Sequence, residues 1–466
     1  MLTYSFADTG SDTLYQHLYK CIKNDIISGI LSPGEKLPSK RSFAKNLNIS
    51  TITIENAYAQ LIAEGYLYSI PKKGYYVADI ANTLAEAPVP SMENFTLATD
   101  HSSYLADFTS NQTNPDNFPF TIWTRLLREV ILDNREELMK NSPSGGVLPL
   151  RQAIAAHLLE FRGMQVLPEQ IIIGAGTEYL YGLLIQLLGH DCCYAVEDPG
   201  YRKISQIYNA NHVSCKYIPM DEEGIQIEEL EQARADVVHI SPSHHFPTGI
   251  ITPISRRYEL LGWAARSDSR YIIEDDYDCE FRLMGKPIPS LQSIDLTEKV
   301  IYINTFTKSL ASTIRISYMV LPKHLLERFY RHMHFYSCTV SNFEQYTLAR
   351  FIQDGYFEKH INRMRTFYRK QRDILLECIK KSPLSSSITI TEEDSGLHFL
   401  MKVHTTRSDA EFLHAAEQAG IRLSCLSQYY HEESRAKHHA HTFIINYSAI
   451  DTEQIEEAVK RLCTIF

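Results

Sequence analysis

Four short segments of this 466-residue sequence gather side chains that could hold an anion and carry out amine chemistry. In Ile301–Leu310 an apolar strand pattern ends in Thr305, Thr307 and Lys308, and Arg315 follows. A lone lysine after a strand is ordinarily a solvated charge, but between hydroxyl side chains and ahead of an arginine it fits a Schiff-base lysine beside an anionic group. Three isoleucines at 171–173 run into Gly174–Ala175–Gly176 and then Thr177 and Glu178, ahead of a helical stretch Tyr179–Leu188. Free main-chain N–H groups with little side-chain bulk suit a phosphate there, although such glycine turns also serve plain packing. Tyr271–Ile273 leads into Glu274, Asp275, Asp276, Tyr277 and Asp278, and another short strand leads into Glu197–Asp198–Pro199–Gly200–Tyr201. Carboxylates crowded at strand ends lie where α/β folds bind ligands; an exposed acidic loop is the alternative.

These segments need a scaffold that brings strand ends together. Apolar runs at Ile171–Ile173, Val237–Ile240, Tyr271–Ile273 and Val300–Ile303 alternate with longer amphipathic stretches, which predicts an α/β fold with a mostly parallel sheet flanked by helices. With 44 % hydrophobic residues and a net charge of -10, disorder and fibrous classes are excluded. The start MLTYSFADTG has no basic segment followed by an apolar one, and Gly182 and Gln186 break the longest apolar stretch, so a cytoplasmic chain is expected. Nine cysteines without a CxxC spacing predict reduced thiols, and His438–His439–Ala440–His441 lacks a ligand partner at metal spacing, so no metal site is expected.

The charge is unevenly spread. Residues 1–78 carry eight Lys or Arg against six Asp or Glu, a net of +2, which leaves -12 for the rest. Leu14, Leu18, Ile22 and Ile26 give one helix ending at Gly29. Ser39 should start a second helix that buries Phe43, Ala44 and Leu47. Ser50 should cap a third that turns Ile54, Ala57, Tyr58, Leu61 and Ile62 inward. Tyr66–Ile70, a turn at Pro71–Gly74 and Tyr75–Val77 read as a hairpin. A helix-turn-helix with a wing places Ser50, Thr51, Thr53 and Asn56 toward base edges and phosphates, with Lys40, Arg41, Lys72 and Lys73 on the DNA backbone. Residues 79–103, with four acidic and no basic side chains and two prolines, read as a linker to a domain spanning 104–466.

The string GEKLPSKRSFAKNLNISTITIENAYAQLIAEGYLYSIPKKGYYV resembles the winged-helix domain of GntR-type bacterial transcription regulators. Those regulators often have an arginine at the position of Thr51. Residues 104–466 resemble the fold-type I aminotransferases that use pyridoxal phosphate, with the motifs in the family's order and a 33-residue interval from Asp275 to Lys308. The resemblance implies that Lys308 forms an internal aldimine, Asp275 pairs with the pyridinium nitrogen, Tyr277 bonds the phenolic oxygen and Tyr201 stacks on the ring. Thr177, Glu178, Thr305, Thr307 and Arg315 line up with the phosphate-binding region. The two halves in this order resemble the MocR-type (GabR-like) regulators of the GntR superfamily. That implies a head-to-tail, domain-swapped homodimer on double-stranded operator DNA, responding to a small amino compound that exchanges with Lys308 on the cofactor.

Substrate motifs depart from the enzymes. Phe246 stands where aminotransferases have the Asn of Asn-Pro-Thr-Gly, Asn141 where many have a tyrosine, and Ile444 where an arginine clamps the substrate carboxylate. A bidentate clamp worth ~2–3 kcal/mol is missing at that position. Arg202 or Lys203 is a substitute cation in principle. The expectation is a pyridoxal-phosphate-dependent regulator with slow or no turnover. An active aminotransferase with a DNA-binding head, and a regulator that senses pyridoxal phosphate itself, are the alternatives.

Overall fold

The computed structural model describes residues 2–6, 12–80, 104–110, 113–283, 288–394, 396–405 and 407–465. The chain divides into two compact units, Met1–Asp100 and His101–Phe466. Nearly all of the stretch 79–103 that sequence assigns to a linker lies outside the described residues.

In the first unit α1 (Leu14–Ile27) buries Leu18, Ile22 and Ile26, the expected stripe. In α2 (Lys40–Leu47), Ser39 caps the helix by accepting from the Ser42 N–H. Asn48 then turns the chain with φ +53°, a left-handed conformation that asparagine tolerates. Ser50 caps α3 (Thr51–Ala63), whose Ile54, Ala57, Tyr58 and Leu61 pack on α1 and α2. A cap of this kind is worth about 1 kcal/mol. The wing pairs β2 (Leu67–Ile70) with β3 (Gly74–Val77), Leu67 opposite Val77. A two-residue strand, β1 (Lys36–Leu37), adds to β3 and makes a three-stranded sheet; it is too short to show periodicity.

The second unit is built on an eight-stranded sheet. Its strands are β4 (Ile171–Gly174), β5 (Cys193–Asp198), β6 (Ser214–Asp221), β7 (Gly224–Ile225), β8 (Val237–Ile240), β9 (Tyr271–Asp275), β10 (Val300–Thr305) and β11 (Ser317–Val320). The spatial order is β4-β11-β10-β9-β8-β5-β6-β7, parallel except for β11 and the short β7. Ile272, Ile273, Ile301 and Ile303 are fully buried, because helices cover both faces and each side chain contributes roughly 1.5–3 kcal/mol. Among the helices are α4 (Leu148–Arg162), α5 (Thr177–Leu188), α6 (Arg202–Ala210), α7 (Ile254–Ala265), a one-turn α8 (Phe306–Ser309) and the long α9 (Tyr356–Lys381). A smaller antiparallel sheet orders β12 (Ile388–Thr391), β13 (His398–Val403), β15 (Thr442–Asn446) and β14 (Ser424–Cys425). The α/β class and mostly parallel sheet follow the sequence expectation.

The nine cysteines are free. Among the described residues no helix is long and apolar enough to cross a membrane, and no cluster of His, Cys, Asp and Glu could hold a metal ion.

Candidate functional site

The carboxyl ends of β4, β5, β8, β9 and β10 open onto one cavity of about 430 Å³. Thr177, Glu178, Tyr201, Asp275, Tyr277, Thr305, Thr307, Lys308 and Arg315 all line it, although they come from segments up to 138 residues apart.

The two adjacent aspartates at the end of β9 point to opposite faces, as strand alternation requires. Asp276 turns away and is neutralised by the buried Arg162 of α4, with the Tyr302 hydroxyl donating to it at 2.8 Å. Asp275 faces the cavity. Its Oδ2 accepts from the Tyr181 hydroxyl and lies 3.5 Å from His239 Nε2, while its buried Oδ1 has no hydrogen-bond partner. Burial, then the neighbouring Asp275 charge, raises the Tyr181 pKa far above its ordinary value, so the phenol remains a donor. An unpaired buried carboxylate oxygen is costly unless a ligand supplies a donor. A protonated pyridine nitrogen is such a donor.

Lys308 sits on α8, directly after β10, and the carbonyl of Ser309 beside it accepts a bond from His360 Nε2 of α9 at 2.9 Å. Burial, then the charge of Arg363, drives the His360 pKa down to about 4, so the ring holds the turn as a neutral donor. The Lys308 amine faces the cavity but is walled by protein, and desolvation pulls its pKa to about 8 against the opposing pull of Asp278. Because the neutral amine is the nucleophile, capture of an aldehyde by Lys308 is expected to speed up about tenfold per pH unit below 8 and to level off above it. Stopped-flow absorbance with pyridoxal phosphate checks this; a rate still climbing at pH 10 would mean an ordinary lysine.

The other end of the cavity gathers a glycine turn, two threonines and Arg315. Gly176, at φ +95°, precedes α5, and a Cβ there would lie 2.2 Å from Arg315 Nη2. Arg315 itself has φ +54°, a backbone setting that non-glycine residues rarely hold. Thr305 caps α8 by accepting the Thr307 N–H at 3.2 Å, and donates its own hydroxyl to Thr307 Oγ1 at 2.7 Å. Glu178 occupies Arg315 and Lys203 together. Burial raises the Glu178 pKa, but the two cations outweigh it and keep the carboxyl below its usual range. Being an acceptor only, that side chain cannot donate to an anion, and an anion bound there would have to draw Arg315 from it. Gly176→Ala is expected to displace Arg315 and weaken pyridoxal phosphate binding at least tenfold without changing pyridoxal binding, as read by fluorescence titration.

In the first unit Ser50 and Thr53 satisfy each other, with Thr53 N donating to Ser50 Oγ at 3.1 Å and the two hydroxyls 2.8 Å apart. Thr51 and Asn56 are exposed at the start of α3, as are Arg41 on α2 and Lys72 and Lys73 at the wing tip. Lys40 at the start of α2 bonds Glu55 at 2.6 Å and lies over the Tyr75 ring.

Residues 14–77 match the family described as "Bacterial regulatory proteins, gntR family", and residues 105–462 match "Aminotransferase class I and II". The chain is 38 % identical to the uncharacterized HTH-type transcriptional regulator YdeL of Bacillus subtilis, over 96 % of both chains. It is 29 % identical to the probable rhizopine catabolism regulatory protein MocR of Rhizobium meliloti, over 97 % of this chain and 94 % of that one. The chain belongs to the MocR-type regulators. An archaeal alanine:glyoxylate aminotransferase shares the fold of the large unit, with a TM-score of 0.68 at 22 % identity over 78 % of this chain and 90 % of that one.

In this MocR-type regulator the wall beyond Lys308 is aromatic. Phe246 packs edge-on to Tyr201, His398 and Tyr429 at 5.3–5.8 Å between ring centres. Ile444 lies in an apolar cluster with Leu400, Leu426 and Tyr430 and does not line the cavity, nor does Asn141. Arg202 donates to the Tyr430 carbonyl at 3.3 Å and Lys203 holds Glu178, so each of these two cations has a partner within the chain.

Sequence reasoning missed four residues of the site, Tyr181, His239, His244 and His398. Tyr181 bonds Asp275 and His239 lies 3.5 Å from it; His244 bonds Asp278 at 2.7 Å and meets the Tyr277 hydroxyl at 3.3 Å, and His398 stands 4.7 Å from the His244 ring. His239 carried a signal, as the one polar residue in the buried run Val237–Ile240.

Proposed function

We propose that this MocR-type regulator holds pyridoxal phosphate in the cavity and, as a head-to-tail homodimer, changes its hold on operator DNA when a small amino compound competes with Lys308 for the cofactor's carbonyl carbon. The cofactor supplies an aldehyde that amines capture and a ring that withdraws electrons. The carrying observation is that a lysine with its pKa near 8, a buried aspartate oxygen without a partner and an arginine beside a glycine turn stand around one cavity. In this reading Asp275 Oδ1 receives the ring N–H, Tyr277 directs its hydroxyl to the ring oxygen, and Tyr201 covers the ring face. Arg315, Thr305, Thr307 and the main-chain N–H groups at the start of α5 take the phosphate. With Ile444 in the apolar cluster, no side chain at that position clamps an effector carboxylate, which favours binding over turnover.

The full chain, loaded with pyridoxal phosphate and titrated onto DNA from upstream of its own gene, tests this reading. At least one small amine should change operator affinity about 5- to 150-fold, and only in the loaded protein. A response to pyridoxal phosphate alone, with every amine inert, would favour the cofactor as the signal. Keto-acid formation at ordinary enzyme rates would favour the aminotransferase.

A further inference from the structure

The recognition helix of a winged helix-turn-helix usually carries a cation for guanine, since arginine or lysine on guanine O6 and N7 is the commonest base-specific contact. α3 has neither arginine nor lysine anywhere between Thr51 and Ala63. Its single charge is Glu55, and that carboxylate is held by Lys40 at 2.6 Å. Ser50 and Thr53 are likewise committed to capping the helix. The face opposite the buried Ile54, Ala57, Tyr58 and Leu61 therefore offers Thr51, Ile52, Asn56 and Ala59. Ile52 is 68 % exposed, the same as Ile30 and more than any other large apolar side chain among the described residues of this unit. Single exposed apolar residues are common on protein surfaces. Ile52 differs in standing one residue into the helix end that enters the major groove, between polar side chains that can address bases.

We infer that α3 reads A·T pairs: Ile52 packs on a thymine 5-methyl group and Asn56 pairs with adenine N6 and N7. The inference rests on the winged helix binding operator DNA in the groove orientation of its class. An exposed isoleucine gains nothing from a guanine or cytosine edge in the major groove, whereas the thymine methyl is that groove's one apolar feature. Asparagine matches the donor and acceptor of adenine in a bidentate pair. Cations outside α3, at Arg41, Lys72 and Lys73, remain for phosphates and flanking positions, so affinity and base choice are divided between different elements.

The full chain is used to select duplexes from a random pool, and each thymine of the selected site is then replaced in turn by deoxyuridine, which lacks only the methyl group. Selected half-sites should carry A·T pairs at the bases facing α3. One or two replacements per half-site should weaken binding about fourfold, the worth of one buried methyl. Ile52→Ala should weaken the thymine site by the same factor and no longer distinguish deoxyuridine there. Asn56→Ala should cost about tenfold or more and lose sensitivity to 7-deazaadenine at its position. Both side chains are exposed, so neither change threatens the fold, and an unchanged dependence of affinity on salt shows that phosphate contacts persist. Conserved G·C pairs at those bases, or an Ile52→Ala protein that discriminates thymine from deoxyuridine as the native chain does, would overturn the inference. Failure to enrich any sequence would remove the operator-binding reading itself, and the inference with it.

Discussion

Lys308→Ala is expected to leave operator binding unchanged while abolishing its response to amines. Among the described residues lining the cavity the other lysine is Lys203, and it shares Glu178 with Arg315. The substitution removes a desolvated group, and Asp278, the carboxylate that opposes the pKa shift, keeps its bond to His244 at 2.7 Å. No buried charge is orphaned, so the fold should survive. If amines act by competing with Lys308, the full coupling of about 1–3 kcal/mol between cavity and operator disappears with the side chain. Lys308→Arg separates charge from nucleophile: it keeps a cation but offers no amine that captures an aldehyde, and should fail in the same way. Gel-shift titrations with and without amine read the effect, and a preserved response in both variants would place the switch elsewhere.

Asp275→Asn is expected to cost about 1.5–3 kcal/mol of cofactor binding, roughly 10- to 150-fold. The change preserves shape and leaves an amide oxygen for the Tyr181 hydroxyl, so the buried Tyr181 and His239 keep a neighbour. What it removes is the negative charge at Oδ1, the oxygen without a partner. Asp275→Ala should bind still more weakly and also melt earlier, because the buried Tyr181 hydroxyl would lose the carboxylate that accepts from it. Fluorescence titration with pyridoxal phosphate, set beside thermal unfolding of each variant, separates the two losses. Native affinity in the asparagine variant would mean that Asp275 does not face the ring nitrogen.

How much of this was legible in the sequence follows contact range. The caps Ser39 and Ser50 act within three residues of themselves and could be read directly, as could the strand ends that carry Asp275 and Lys308. Which of the two aspartates enters the cavity depends on Arg162, 114 residues away, which claims Asp276. The pairing of Glu178 with Arg315 spans 137 residues, and His398 comes from a different sheet, so no local pattern announced either. Glu178 lines up with the phosphate region on sequence, and its carboxylate pairs with Arg315 in the fold. The pairing of Lys40 with Glu55 depends on how α2 and α3 pack, which no local pattern announces.

The most direct test of the account is where pyridoxal phosphate becomes fixed when the loaded full-length protein is reduced with borohydride and its peptides are weighed. The account predicts one modified peptide, containing Lys308, with the modification lost in Lys308→Ala and weakened in Gly176→Ala. Modification of Lys203 instead, or none at all, would contradict it.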